Sequence, residues 1–586
     1  MYESPHALPY RNIYIVDTEF YGEQGNRKTP VCLVVRDFRS NTVVRYWMDQ
    51  LAQMAAPPFD ISENTLFVAY FASAEFSTFL ELHWDLPTHV FDCFTEFRCN
   101  TNGSALQHGV GLLGACRYFD ITTVDFPEKD HMRQLILSGG PWSQQQRQEI
   151  LFYCQSDVDM LANLFSAMLN RWPMGEGDLG RALLRGRYMR AVAKMEQIGT
   201  PIDQFTFQHL AHNWFRIKSE LIAEVDKQYD VYENGSFKLK KFETFLSREA
   251  IDWPVLSDGK LALDRDTFRQ MSRTIPRLSS LYQLRATLSE IREIKLNVGI
   301  DDRNRTLISP FASKTGRNQP STTRFIFGLP SWIRHLIKPS TNMAIAYLDF
   351  SSQEIAIAAA LSEDAQLWEA YASGDPYIEF AIQAGLAPIG ATKTTHPEVR
   401  SKCKVIMLGV QYGMSAYGMA KGAGIHNLDA QDLLQRHKEV YRTFWAWSEQ
   451  NAHAGLAGSP LHTVFGWKIQ AGLGQELKEN TFLNWPMQAN GAEMLRLACS
   501  LTTEAGIRVC APVHDAILIE AKSDEIDKQV DLTISLMEEA SSLVLGKERK
   551  CRVDSEIVHW PNRYCDPRGA DMWAFVTSKL EPKGGH

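Results

Sequence analysis

Two apolar stretches that each deliver an aspartate constrain this chain more than anything else in its sequence. Residues 345–350 (IAYLDF) read as a buried strand with a helical pattern directly after it, so Asp349 stands at the strand's exit. Residues 507–520 (IRVCAPVHDAILIE) read as two short strands with a tight connection, which holds His514-Asp515. Aspartates that end neighbouring buried strands can meet at one pair of metal ions. The sequence alone does not make these strands neighbours, and His514-Asp515 in isolation reads better as a polar turn.

At 586 residues the chain exceeds one ordinary core, so two or more domains are expected. Hydrophobic residues at 45% and charged residues at 22% are the balance of a globular protein. The formal net charge of −8 does not advertise a polyanion binder, although clustered Lys and Arg can still line a basic cleft. Ten cysteines without a CxxC pair or finger-like Cys/His spacing read as reduced core thiols, against a disulfide framework or a zinc site. The start, MYESPHALPYRN, has no signal-peptide pattern, and no apolar run approaches the roughly 20 residues of a membrane span. A soluble, cytoplasmic protein is expected.

Residues 10–50 read as a hairpin-rich sheet, and helical periodicity runs with interruptions from Phe76 to Leu169. Arg171–Gly180 (RWPMGEGDLG) reads as a linker. Gly180–Ile300 is charged and helical, broken at Asn234-Gly235 and at WPVLSDGK, and 366–484 is mostly helical.

Near the N-terminus, Asp17 and Glu19 stand two apart at the end of an apolar strand, so they project from one face. Tyr153 and Asp157 lie four apart in a helical stretch and share a face. Acidic oxygens with few cationic neighbours suit hard ions such as Mg²⁺. Each piece alone has a plainer reading: a lone Asp-x-Glu is weak, Tyr153 fits a core and Asp157 a solvated helix face. Their order resembles the DEDD-type exonucleases, tyrosine subgroup. The resemblance implies that the carboxylates hold two metals and that Tyr153 helps position the attacking water. The family's middle Asn-x3-Asp pattern falls on Phe71 and Glu75, both departures; the resemblance still makes Glu75 an oxygen ligand to the metals with Asp17, Glu19 and Asp157, and Asp92 matches a further acidic position.

Further on, Arg400, Lys404 and Leu408 are spaced four apart along a helix and point broadly together. Two cations on one face suit a triphosphate, with Arg able to grip bidentately, and equally suit a solvated basic face. With Tyr412-Gly413 behind them, Asp349–Glu354 before them and His514-Asp515 after, the set resembles motifs A, B and C of family A DNA polymerases. The resemblance runs from about Ala191 to Glu520. It implies that Asp349 and Asp515 are catalytic metal ligands and that Arg400 and Lys404 bind the incoming triphosphate. Leu408 and Tyr412 would line the nucleotide pocket, with Tyr412 at its base-stacking end, and Glu354 would exclude a 2′-hydroxyl. Arg317 of Thr315-Gly316-Arg317, Asn484 and Gln488 of LNWPMQANGAE, and His514 would contact DNA. Lys194–Gly199 with Asp203 resembles the segment that opens the polymerase domain. Ala516 replaces a usual carboxylate, Leu408 a usual aromatic, and Phe325–Gly328 an asparagine-rich stretch.

The fold expected is α/β multidomain: an RNase H-like exonuclease domain at 1–175, then a right-hand polymerase domain at 176–586. Thumb is expected at about 180–300, palm at 301–365 and 485–586, and fingers at 366–484. The function implied is DNA-directed DNA polymerisation with 3′→5′ proofreading, using two Mg²⁺ at each site, with Mn²⁺ as a substitute. Primer-template DNA and dNTPs are the expected partners of a monomer, with replication accessory proteins as further ones. The absence of a preceding 5′-nuclease segment resembles phage replicative members, acting in a bacterial host's cytoplasm. One rival is an exonuclease whose polymerase half only binds DNA; another is a single-subunit RNA polymerase, against which Glu354 argues.

Overall fold

The computed structural model describes residues 1–122, 126–256, 258–290, 295–471 and 477–580. The chain divides into two compact units: residues 1–199, 307–320 and 342–557 form one, and residues 200–306, 321–341 and the chain from 558 onward form the other.

The first unit begins with a five-stranded sheet. β1 (Asn12–Tyr21), β2 (Thr29–Asp37) and β3 (Val43–Trp47) make an antiparallel meander, as the hairpin-rich reading of 10–50 expects. β4 (Thr65–Ala69) and β5 (His89–Asp92) add in parallel, giving the order β3-β2-β1-β4-β5. Neither strand is expected from the sequence, and β5 interrupts the stretch with helical periodicity. TLFVA and HVFD are buried almost throughout, and such strands lose the alternation that marks a half-exposed one.

Five helices matter for the site: α1 (Ala72–Glu81), α2 (Cys93–Thr101), α3 (Phe126–Leu137), α4 (Gln144–Arg171) and α5 (Glu176–Ile198). Along β1, Ile13 and Ile15 enter a core with Val158, Leu161 and Phe165 of α4. Val16 enters a second core with Phe76 and Phe79 of α1 and Val192 of α5. Asp17 and Glu19 continue the Ile13–Ile15 row, so the period-two pleat aims both at α4. A capping box starts α4: Ser143 Oγ accepts from Gln146 N at 3.2 Å, and Gln146 Oε1 accepts from Ser143 N at 2.8 Å. The expected linker at 171–180 contracts to residues 172–175, because α4 runs to Arg171 and α5 starts at Glu176. Gly175 caps α5, its N–H donating to the Asp178 carboxylate at 3.1 Å.

A second sheet is built from β6 (Met343–Phe350), β7 (Arg508–Val513), β8 (Ala516–Lys522) and β9 (Val553–His559), in the order β7-β8-β6-β9. The two aspartate-bearing stretches are therefore neighbours, since β6 pairs antiparallel with β8 and β8 with β7. Behind the sheet, α6 (Gln353–Ser362) and α8 (Glu479–Glu504) share one apolar core, Ile355 and Ala359 with Met494 and Ala498. Between them in sequence, α7 (Pro397–Gln411) belongs to a helical region that also holds a two-stranded hairpin, Leu461–His462 with Lys468–Ile469, unforeseen from sequence.

The second unit is mostly helical over Gln204–Asp226, Leu239–Arg248, Arg265–Thr274 and Ser279–Glu290. Asn234 and Gly235 both have positive φ, 50° and 72°, and turn the short hairpin Tyr232–Glu233/Ser236–Phe237. All ten cysteines are free thiols, and all but Cys565 are buried. Among the described residues no helix is long and apolar enough to cross a membrane.

Candidate active sites

Strand register brings Asp349 and Asp515 together. Asp349 pairs with Ala516, and Phe350 N donates to Asp515 O at 3.2 Å. Burial first, then the Asp515 charge, pushes the Asp349 carboxyl up to about 7. A third carboxylate, Asp554 on β9, pushes in the same direction and accepts a hydrogen bond from Ser351 Oγ. Sequence reasoning missed Asp554, whose one signal was an acid in the strand-like CRVDSEIVH. Asp349 Oδ1 is buried and has no hydrogen-bond partner. An orphaned carboxylate oxygen in a group of like charges fits a hard divalent cation.

On α7, Arg400 and Lys404 do share a face. The Arg400 guanidinium lies 5.2 Å from the centre of the Tyr377 ring and the Lys404 ammonium 5.7 Å from the same ring. Arg400 Nε also donates to Asp375 Oδ2. Tyr377 thus lies against both cations and Asp375 holds Arg400, roles that no spacing pattern announced. Leu408 is half-buried against the core, and Tyr412 ends the helix 46% exposed. Tyr412 Oη approaches Glu354 Oε1 at 3.5 Å, and Arg317 Nη2 approaches the same oxygen at 3.3 Å. Two residues from widely separated stretches therefore converge on the Glu354 carboxylate.

Asn484 and Gln488 stand one turn apart on α8, and the Asn484 Oδ1 is buried without a partner. Gly491, a turn further, leaves room for Gln353 and Arg317: a Cβ there would lie 2.5 Å from Gln353 Oε1 and 3.6 Å from Arg317 Nη2. His514 occupies the turn between β7 and β8 at φ 53°, exposed.

In the N-terminal sheet, Asp17, Glu19 and Cys154 bring one ligand atom each to within 4.8 Å of one another. Cys154 Sγ lies 3.2 Å from Asp17 Oδ2. Burial, and then Asp157, pushes Asp17 up to about 8; burial and Asp17 raise Glu19 well above the carboxylate range. These oxygens also fit a divalent cation, whose charge would relieve the repulsion. Glu75 stands on α1, across the sheet from α4. Its Oε2 accepts from Thr18 N and from Thr18 Oγ1, both at 2.7 Å. Phe71, where the resemblance expects an asparagine, starts α1 at φ 74°. Asp92 is a capping residue: it accepts from Ala72 N at 2.5 Å and from Thr95 N at 2.8 Å, binding the starts of α1 and α2 together.

Tyr153 and Asp157 lie on α4 as expected. The expectation of few cationic neighbours needs correction. Lys129 Nζ, from α3, donates to both Asp157 oxygens at 2.8 and 2.9 Å and lies 5.6 Å from the Tyr153 ring centre. Nothing in the local sequence FPEKDHM distinguishes this lysine from a surface one.

The arrangement defines an α/β chain with a paired-aspartate sheet flanked by a cationic helix. The sequence model described as DNA polymerase family A matches residues 328–557. The chain is 24% identical over 447 residues to DNA polymerase I of Aquifex aeolicus, covering 70% of this chain and 75% of that protein. It is 26% identical over 229 residues to the thermostable DNA polymerase I of Thermus thermophilus, covering 37% of this chain and 27% of that one. Among solved structures, it is similar to the POL domain of Pol1 from M. smegmatis in complex with DNA primer-template and dNTP. The TM-score there is 0.72 at 18% identity, covering 93% of this chain and 95% of the other. The chain thus carries a family A DNA polymerase domain and has DNA polymerase I homologues.

Proposed function

We propose that this chain is a DNA-directed DNA polymerase that extends a primer 3′-OH with dNTPs and carries a 3′→5′ exonuclease in its N-terminal, RNase H-like sheet. One observation carries the reading: within the family A match, Asp349 and Asp515 meet on adjoining strands, with Asp349 Oδ1 left unpartnered. Asp349 and Asp515 would hold the divalent ions, which when bound neutralise charge on the transferring phosphoryl group. Arg400 and Lys404, braced by Tyr377, grip the triphosphate and hold its α-phosphorus towards the primer end. Arg317, Asn484, Gln488 and His514 position the primer-template, whose sequence is read by base pairing rather than by protein. In this reading the exonuclease and the fingers lie within the first unit, while the palm is divided, with residues 301–306, 321–341 and the chain from 558 onward in the second. The helices over 204–290 are the thumb.

Glu354 sets the choice of sugar. Pinned by Arg317 and approached by Tyr412, its carboxylate presents a fixed wall beside the nucleotide pocket. Primer extension with dNTPs and with NTPs tests both claims. The parent protein is expected to use dNTPs and reject NTPs, and Glu354→Ala to raise the NTP/dNTP ratio about tenfold or more, a change worth about 1.4 kcal/mol. No extension with either set would defeat the polymerase reading. An unchanged ratio in an active variant would defeat the role given to Glu354.

The Leu408→Tyr variant tests the pocket's other wall. A ring at that half-buried position on α7 is expected to improve use of dideoxynucleotides relative to dNTPs in a termination assay. Identical termination patterns would place Leu408 outside the sugar pocket.

A further inference from the structure

Four carboxylates were expected to share a pair of divalent ions at the N-terminal sheet, but their partners divide them. Asp17 and Glu19 have ligand atoms close together, with Cys154 beside them. Asp157 and Glu75 fall outside that close set although their charges act on it, and protein donors hold both. Thr18 takes Glu75 through its backbone N–H and its hydroxyl. Lys129 takes both oxygens of Asp157, its ammonium also lying near the Tyr153 ring.

Resting on the exonuclease reading, we propose that Lys129 is a resident cation of this site: its ammonium fills the place of one divalent ion, and Asp17 with Glu19 takes a single exchangeable one. An Mg²⁺ ion bound by Asp157 would sit about 2.1 Å from an oxygen. The ammonium already stands 2.8 and 2.9 Å from the two oxygens of that carboxylate, so the two cations compete for it. Asp157 is only 7% exposed, which leaves little room for both. The lysine also fixes the rotamer of Asp157 and the side of Tyr153 that faces the cluster, so it acts as a positioning residue.

Counting bound Mn²⁺ by electron paramagnetic resonance tests this without reference to turnover. The background is the full chain with Asp349→Asn and Asp515→Asn, which silences the other site. With Lys129 present, one Mn²⁺ per chain is expected to bind. Lys129→Met should bind two, and Lys129→Arg, which keeps the charge, should bind one. Circular dichroism matching the background would show each variant folded. Two ions bound with Lys129 in place would overturn the proposal, as would one ion in folded Lys129→Met. Asp17→Ala on the same background separates the two ideas: if it leaves Mn²⁺ binding intact, the exonuclease site itself has been misplaced. Loss of binding there, with one ion in Lys129→Met, would overturn only the role of the lysine.

Discussion

Asp349→Asn is expected to lower primer extension by about a hundredfold or more, yet to raise the melting temperature in metal-free buffer at pH 8. The first effect follows from removing one ligand of the proposed two-metal site, which would forfeit several kcal/mol of transition-state stabilisation, at about 1.36 kcal/mol per tenfold. The second follows from repulsion. Burial and the neighbouring Asp515 push the Asp349 carboxyl up to about 7, so ionising it costs the folded state. Well below about pH 4 the group is protonated in folded and unfolded chains alike, and the cost is absent. It grows as pH rises and is complete above about 7. The asparagine variant escapes it, so its thermal advantage should widen between about pH 4 and 8. The advantage should shrink when Mg²⁺ is added to both proteins, since the ion stabilises the parent. Thermal scans across that range check the stability arm, and single-nucleotide extension checks the chemistry. Undiminished extension would remove Asp349 from the reaction, and a flat difference with pH would remove the repulsion.

Asp17→Ala should do the opposite in function. Digestion of 5′-labelled single-stranded DNA is expected to fall about a hundredfold or more, while primer extension persists. Burial is the chief cause that pushes the Asp17 carboxyl up to about 8, and a bound divalent ion would offset that cost. Removing it takes away half of the Asp17–Glu19 pair without touching β6 or β8. If a folded Asp17→Ala protein loses extension as well, the two activities are not separately housed. If the parent protein digests nothing in the presence of metal, the departures at Phe71 and Glu75 have silenced the site.

Much of this was legible because short-range rules set it. The pleat of β1 places Asp17 and Glu19 on one face, and the helical repeat of α7 places Arg400 with Lys404. The meander over 10–50 and the turn at Asn234-Gly235 followed from alternation and turn chemistry. What escaped depends on contacts far apart in sequence. Lys129 and Asp157, Asp554 and Ser351, and Arg317 and Glu354 meet only after the sheets have formed, and a lysine or aspartate looks alike in every context before that. β4 and β5 escaped for another reason: strands buried on both faces carry no period to detect. The resemblance to known polymerases supplied the roles, and strand register supplied the adjacency of Asp349 and Asp515 that spacing alone left open.

Helix α5 bears on how the protein could be engineered. Gly186 packs so closely on β5 that a Cβ would fall 2.0 Å from Val90 O. Beside it, the buried Arg185 guanidinium is gripped by Glu96 of α2, Nε to Oε1 at 2.6 Å and Nη2 to Oε2 at 2.8 Å. On its other side, α5 buries Tyr188, Met189 and Val192 in the core that runs on to β6 and β8. Deleting residues 1–175 would take away the carboxylate that pairs with the Arg185 guanidinium and bare the helix that the remaining sheet leans on. To remove the proposed editing function, changing a single acid is therefore a better route than cutting the chain.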